Sequence, residues 1–346
     1  MNLYQDNGYM NMNNIIDSGY PFIIVINGRG TGKTFNSLWE ALRRKIKFVY
    51  MRRTKTQVEE ISTPGRDPFS DINKKKNTTY IQKAVTKNTV GIFDGEIIDG
   101  EIRPTGKCLG YICALSTFST MRGLVDTDID MLIFDEFIPE WNERPLREEY
   151  YTFLNAVETL SRNRELEGKK PLQCILLSNS NTYVNPILVG MKIVNKVKSM
   201  QENHIETLEI KDRGILVIRP FTSPISEKKR DTALYKMSKN SDFIHMAIEN
   251  KFSDFSRMRI KSMPIKEYTI IAAIGELGVY RHKSRMELYI STLNDGTKNI
   301  YGVSDVERQR FAHDFREISR LYFDGAIIFE SQEVELLFVH YIQKKY

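Results

Sequence analysis

The stretch "FIIVINGRGTGKTFNSLWEALRRK", residues 22–45, constrains the fold of this chain more than any other. Phe22 to Ile26 is a short β-branched run suited to a buried strand. Phe35, Leu38, Trp39, Leu42 and Ile46 then recur every three or four residues, which marks one face of a helix. Between them runs Asn27-Gly28-Arg29-Gly30-Thr31-Gly32-Lys33-Thr34. A strand, a Gly-rich turn and a helix start form the context of a phosphate-binding P-loop. The glycines let successive N–H groups turn inward around an anion, and the helix dipole adds positive potential there. Lys33 is then placed for the β/γ-phosphates and the Thr34 hydroxyl for Mg²⁺. The usual pattern opens with glycine where this chain has Asn27. Asparagine tolerates left-handed dihedrals better than most residues, so the turn is expected to form. ATP and Mg²⁺ are the expected cofactors.

A second landmark lies about 100 residues on. "MLIFDEF" is an apolar strand that ends in Asp135-Glu136. Asp135 is expected to hold Mg²⁺ through water, and Glu136 to polarise the attacking water as general base. No NKxD base-reading motif of a GTPase is found, and the acidic pair favours ATP hydrolysis coupled to motion. "KFVYMR", "QCILLSNSN" and "GILVIRPF" are further strands separated by helical stretches, which predicts an α/β fold with a mostly parallel sheet. The segment from Arg53 to Asn77 carries Pro64-Gly65 and Asp67-Pro68 and reads as a loop-rich excursion; Thr79 to Leu115 reads as a β-hairpin insertion. Asn179, at the tip of a strand, is either a γ-phosphate sensor or an ordinary turn residue. Arg162 and Arg164 end an amphipathic helix, either as solvated arginines or within reach of a neighbouring subunit's phosphate.

Composition sets outer limits. With 346 residues, 41% hydrophobic and 27% charged, the chain has room for two ordinary globular domains. No apolar run approaches the ~20 residues of a membrane span. The polar start "MNLYQDNGYMNMNN" is not expected to be a signal peptide. Cys108, Cys113 and Cys174 have no metal-like spacing, which suits a reducing cytosolic setting. The net charge of +6 permits a nucleic-acid partner without demanding one.

Taken in order and spacing, "VINGRGTGKT", "KFVYMRRTK", "MLIFDEFIPE", "ETLSRNRE" and "ILLSNSNTYVNP" resemble the DNA-packaging (encapsidation) ATPases of small tailed phages of the phi-29 type. These are related to the large terminases and to the FtsK/HerA branch of additional-strand (ASCE) P-loop ATPases. The resemblance implies a homo-oligomeric ring, pentameric in that family, at the portal vertex of an empty prohead. It would drive double-stranded DNA inward on ATP hydrolysis, with a structural RNA as a further candidate partner. It implies host cytoplasm with transient attachment to the prohead, and no membrane. It also makes Glu136 the catalytic glutamate, Arg162 a trans-acting finger with Arg164 as companion, and Lys55 a residue facing the DNA channel. Lys74, Lys75 and Lys76 are either DNA contacts or an exposed, solvated run.

Residues 1–221 are thus expected as the ATPase domain, 222–255 as a helical linker subdomain and 256–346 as a docking domain. The last shows three antiparallel strands, helix, strand, helix, the order of an RNase H-like core. Two-metal cutting needs converging carboxylates. The first strand, Ile270 to Gly275, has no acid before Glu276, and Asp324 and Glu330 lack that partner. The expected domain is therefore a vestigial, inactive nuclease. Its basic residues, among them Arg257, Arg259, Lys261, Arg281, Lys283 and Arg285, are available for portal, DNA or RNA. The rival expectations are an active terminase with endonuclease, and a ring translocase or helicase that does not package.

Overall fold

Side chains alternate across a strand, so an apolar run buried on both faces must feed two cores, and these strands do so. The computed structural model describes residues 1–346 apart from 64, 66, 100, 122–127, 141, 142, 144, 145, 147, 183, 184, 239–241, 253–259, 324, 325 and 343–346. Arg257, Arg259 and Asp324 therefore lie outside the described residues. The chain divides into two units, Met1–Phe252 and Ser253–Tyr346.

The strands of the first unit are β1 (Phe22–Ile26), β2 (Phe48–Arg52), β3 (Ile81–Thr86), β4 (Thr89–Ile98), β5 (Glu101–Ala114), β6 (Met131–Asp135), β7 (Gln173–Ser178), β8 (Thr207–Ile210) and β9 (Ile215–Ile218). Its helices are α1 (Met12–Ile16), α2 (Lys33–Arg43), α3 (Lys55–Ile61), α4 (Pro68–Lys76), α5 (Glu149–Ser161), α6 (Pro186–Gly190), α7 (Val194–Glu202), α8 (Pro224–Lys229), α9 (Ala233–Met237) and α10 (Asp242–Ala247). The strands form one sheet in the order β3-β4-β5-β2-β6-β7-β1-β9-β8. Every pairing from β5 to β9 is parallel. β3, β4 and β8 add antiparallel pairs at the two edges. Strand β7 stands between β1 and β6, the additional strand of the ASCE class.

Residues Ile24, Val49, Leu132, Phe134 and Leu176 share one core with Phe153 of α5, Leu188 of α6 and Val197 of α7. Their neighbours Ile23, Val25, Tyr50, Ile133 and Leu177 share the other with Ile15 of α1, Leu38 of α2 and Phe69 of α4. The carboxyl ends of β1 and β6 are thereby held from both faces.

Three expectations are corrected here. The excursion after β2 is two helices. Thr54 caps α3 in a reciprocal box with Gln57, and the Asp67 carboxylate accepts from the Phe69 and Ser70 N–H groups, each at 2.9 Å, with Pro68 at the first position of α4. The Asp67-Pro68 pair starts a helix there and does not break one. The hairpin is no separate insertion, because β5 pairs in parallel with β2 along the length of β2. The segment of α8–α10, expected as a linker, belongs to the first unit. Asn250 Nδ2 donates to the Ile26 carbonyl at 2.9 Å, and the Ser180 hydroxyl to the Met246 carbonyl at 3.2 Å.

The second unit is α+β. Its strands β10 (Tyr268–Ile274), β11 (Leu277–His282), β12 (Leu288–Ser291), β13 (Ile300–Tyr301) and β14 (Ile327–Phe329) lie in the order β13-β10-β11-β12-β14. β10 to β12 are antiparallel, whereas β13 runs parallel to β10 and β14 to β12. Helices Asp305–Asp314, Ile318–Phe323 and Gln332–Ile342 complete it, and Phe311, Phe329 and Phe338 are fully buried in its core. The Glu330 carboxylate accepts from Thr292 N–H at 2.7 Å and from the Ser291 and Thr292 hydroxyls at 3.0 and 2.9 Å. That oxygen is committed to holding a turn.

Phe153 is fully buried with its ring centroid 5.7 Å from that of Phe134. Phe153→Ala should lower the unfolding free energy by about 3–5 kcal/mol in urea titrations. Ile97→Ser, at a position 67% exposed, should change it by no more than about 0.5 kcal/mol.

Candidate active site

Between β1 and α2 the chain turns through Gly30 (φ 67°) and Gly32 (φ 84°), backbone that glycine adopts without a Cβ penalty. Gly28 is required for another reason. A Cβ built there would come within 2.5 Å of the Ala247 carbonyl oxygen. The turn forms as expected, and Asn27 itself does not need a positive φ. It acts through its buried side chain: Oδ1 accepts from Gly28 N–H at 2.7 Å, and Nδ2 donates to Tyr4 Oη at 3.3 Å. An amide therefore stands where most P-loops begin with glycine, and it ties the loop to the N-terminal segment. Thr31 closes the turn by donating its hydroxyl to the Gly28 carbonyl at 3.1 Å.

The Lys33 ammonium is buried and donates to the Asn27 and Gly28 carbonyls, both at 2.8 Å, and to Asn179 Oδ1 at 3.1 Å. Burial pushes its pKa down to about 7, against the attraction of Asp135. The expected γ-phosphate sensor thus touches the P-loop lysine. The Thr34 hydroxyl donates to Asp135 Oδ2 at 2.8 Å. The same oxygen accepts from Tyr50 Oη at 2.9 Å and from Arg52 NH1 at 3.0 Å. The other end of the Arg52 guanidinium is ion-paired with Glu136. Glu136 sits at φ 55°, a left-handed conformation that a non-glycine residue takes at a cost and that is concentrated at functional sites. Burial raises its pKa and Arg52 holds it back. Arg52 itself stays charged, because the acids around it outweigh the burial that opposes its charge.

The remaining candidates are spread out. Arg29 pairs with Glu140. Arg162 follows the last turn of α5, exposed, with φ 46°. Arg164, expected as its companion, is buried and bound to the Ile129 carbonyl and the Asp130 carboxylate. That point precedes β6, roughly 16 Å from Asp135 across five residues of strand. Arg164 therefore serves the packing of α5 on the sheet. Arg162 lies two residues before it in the chain, at the C-terminal cap of α5. Lys55 opens α3 and lies 3.7 Å from Glu59. Lys74 to Lys76 form the last turn of α4, and Lys75 and Lys76 each sit 4.9 Å over the rings of Phe35 and Trp39 on α2. Hence the run is helical, and part of it covers aromatic surface.

Residues 4–333 match the family profile described as podovirus DNA encapsidation protein (Gp16). The chain belongs to that family. It is 23% identical to the DNA packaging protein of Bacillus phage phi29 over 90% of each chain. With the DNA packaging protein of Bacillus phage B103 it shares 24% identity, over 89% of this chain and 92% of that one. Its fold is similar to that of the solved Phi-28 gp11 DNA packaging motor, with a TM-score of 0.60 at 20% identity, covering 98% of this chain and 99% of the other.

Sequence reasoning passed over Tyr50, Arg52 and Lys229. The first two lie in "KFVYMR", where polar residues at the carboxyl end of an otherwise apolar strand are the legible signal. Lys229 donates to the Arg29 carbonyl at 2.5 Å and carries no local motif.

Replacing Arg52 with Ala should raise the Glu136 pKa further, so the acidic limb of the kcat–pH profile should move to higher pH while kcat falls. An unmoved limb would mean that Arg52 does not govern this carboxyl. Lys33 gives a second pH signature. Its folded value, about 7, lies below the ordinary 10.5, so the unfolded chain binds the extra proton across that interval and stability rises with pH through it. Phosphate would favour the charged form. At pH 8, ATP binding should therefore take up a proton, seen by calorimetry in buffers of different ionisation enthalpy, and the uptake should fade towards pH 6.

Proposed function

We propose that this chain is the ATP-hydrolysing subunit of a phage DNA-packaging motor, translocating double-stranded DNA into a preformed prohead. The observation that carries the reading is the meeting of Lys33, Thr34, Asp135 and Glu136 at the carboxyl ends of β1 and β6, in a member of a DNA encapsidation family. The words "DNA packaging" on the phi29 and B103 relatives support the substrate. The subunits work as a homo-oligomeric ring, a pentamer by family resemblance, at the portal of the prohead in the host cytoplasm, with a structural RNA as a candidate docking partner.

The chemistry follows from the side chains. Thr34 and Asp135 present hard oxygen donors 2.8 Å apart, a set suited to Mg²⁺. That ion, when bound with ATP, would supply neutralising charge at the phosphates. Lys33 and the loop N–H groups bind and orient the phosphate chain. Glu136, held by Arg52, takes a proton from the attacking water at its carboxylate. Asn179, bonded to Lys33, links the phosphate position to the end of β7. Arg162, just past the end of α5, is by family resemblance the finger offered to a neighbouring subunit; Arg164 is committed to Asp130. Lys55 and the run Lys74 to Lys76 are DNA contacts made through phosphates, since a motor must pass any sequence. The second unit docks on a partner and does not cut. No acid lies on its β10, and plasmid cleavage with Mn²⁺ would favour an active terminase instead.

The deciding experiment measures ATP hydrolysis and DNase-protected DNA with proheads present. Lys33→Ala should abolish nucleotide binding, whereas Glu136→Gln should keep binding and stop hydrolysis. Mixing Arg162→Ala with Lys33→Ala subunits should restore part of the activity, because some interfaces combine an intact loop with an intact finger. No recovery in mixed rings at any ratio would rule out action in trans.

A further inference from the structure

One cation at the P-loop has no role in the account so far. Lys229 ends α8, a short helix whose start is fixed by the Ser223 hydroxyl accepting from Ser226 N–H at 3.0 Å. Its neighbour Lys228 is exposed, but Lys229 is half-buried and turned onto the loop. Its ammonium donates to the Arg29 carbonyl at 2.5 Å, and a Cβ built on Gly30 would collide with it. It therefore rests against the apex of the phosphate-binding turn.

The surrounding charges make this placement informative. Two cations near Lys229 in the segment have carboxylate partners: Arg230 has Glu227 and Glu249, and Lys251 has Glu249. Among the described residues no carboxylate pairs with Lys229. Burial lowers its pKa, and its charge in turn presses on Lys33. The acids at the loop are already engaged, Asp135 and Glu136 by Arg52 and Glu140 by Arg29. Two lysines thus converge on one Gly-rich turn whose N–H groups favour an anion. Like charges brought together in a half-buried site are costly unless an anion lies between them. A polyphosphate chain is the anion that the turn is shaped for.

We propose that Lys229 is a second phosphate-contacting lysine, reaching the nucleotide's phosphate chain from the α8–α10 segment. The segment is well placed to register that contact. Lys229 near its start meets Arg29, the Ala247 carbonyl near its end abuts Gly28, and Asn250 ties that end to β1. Gain or loss of phosphate charge at Lys229 would then be felt by a segment that lies outside the sheet core. The inference rests on the P-loop binding ATP, as proposed above.

The test compares full-length wild-type, Lys229→Ala, Lys229→Arg and Lys228→Ala proteins by ATP-binding titration, KM for ATP and thermal melting. Removing one charge-assisted contact should weaken ATP binding and raise KM about tenfold or more in Lys229→Ala, with the melting midpoint little changed. Lys229→Arg should recover most of the affinity, and Lys228→Ala should match wild type. Affinity of Lys229→Ala within about twofold of wild type would overturn the inference. So would equal loss in the Ala and Arg variants accompanied by lower melting midpoints, since that pattern marks a packing role. A wild-type chain that fails to bind ATP would instead overturn the proposed function.

Discussion

The hydrogen bond from Thr34 to Asp135 joins the start of α2 to the end of β6, two elements that do not touch through the sheet ladder. Strand β7 lies between β1 and β6, so the two ends are held in register only because both pair with β7 in parallel, Val25 and Phe134 meeting Leu177 and Leu176. The 2.8 Å contact thus depends on the sheet order, on apolar packing on both faces and on the loop turning sharply enough for α2 to begin beside β6. Reorder those strands and the acid and the hydroxyl part.

Around that bond the charges are arranged in two layers. Arg52 holds Asp135 and Glu136 on one side, while Lys33 and Lys229 face the loop on the other. The acids raise the pKa of Arg52, and burial depresses that of Lys33 to about 7. On the loop side Glu140 answers Arg29, and a nucleotide's phosphates would answer the two lysines. The same burial that makes Lys33 sensitive to pH makes it responsive to phosphate.

The second unit carries its own core, with aromatic side chains such as Phe311 and Phe338 packed at 6.3 Å between centroids. Its Glu330 is spent on local structure, holding Ser291 and Thr292. A docking role asks only for a stable surface, and that is consistent with carboxylates used as turn anchors.

The amino-acid sequence by itself determined the P-loop, the acidic pair after β6 and the mostly parallel sheet. Each is written in neighbouring residues: glycine spacing, apolar runs of strand length, helical periodicity. It even contained the caps of α3 and α4, although Asp67-Pro68 reads equally as a break until the chain after it is seen to coil. Only the tertiary structure decided which distant groups meet. Arg52 reaches Glu136 across 84 positions, Arg164 reaches Asp130 across 34, and Lys229 reaches Arg29 across 200. Asn27 finds a partner for its amide in Tyr4, 23 positions back in the chain. Local propensity acts over a few residues, whereas burial of charge forces partners to be found wherever the fold brings them, and no spacing rule records that choice.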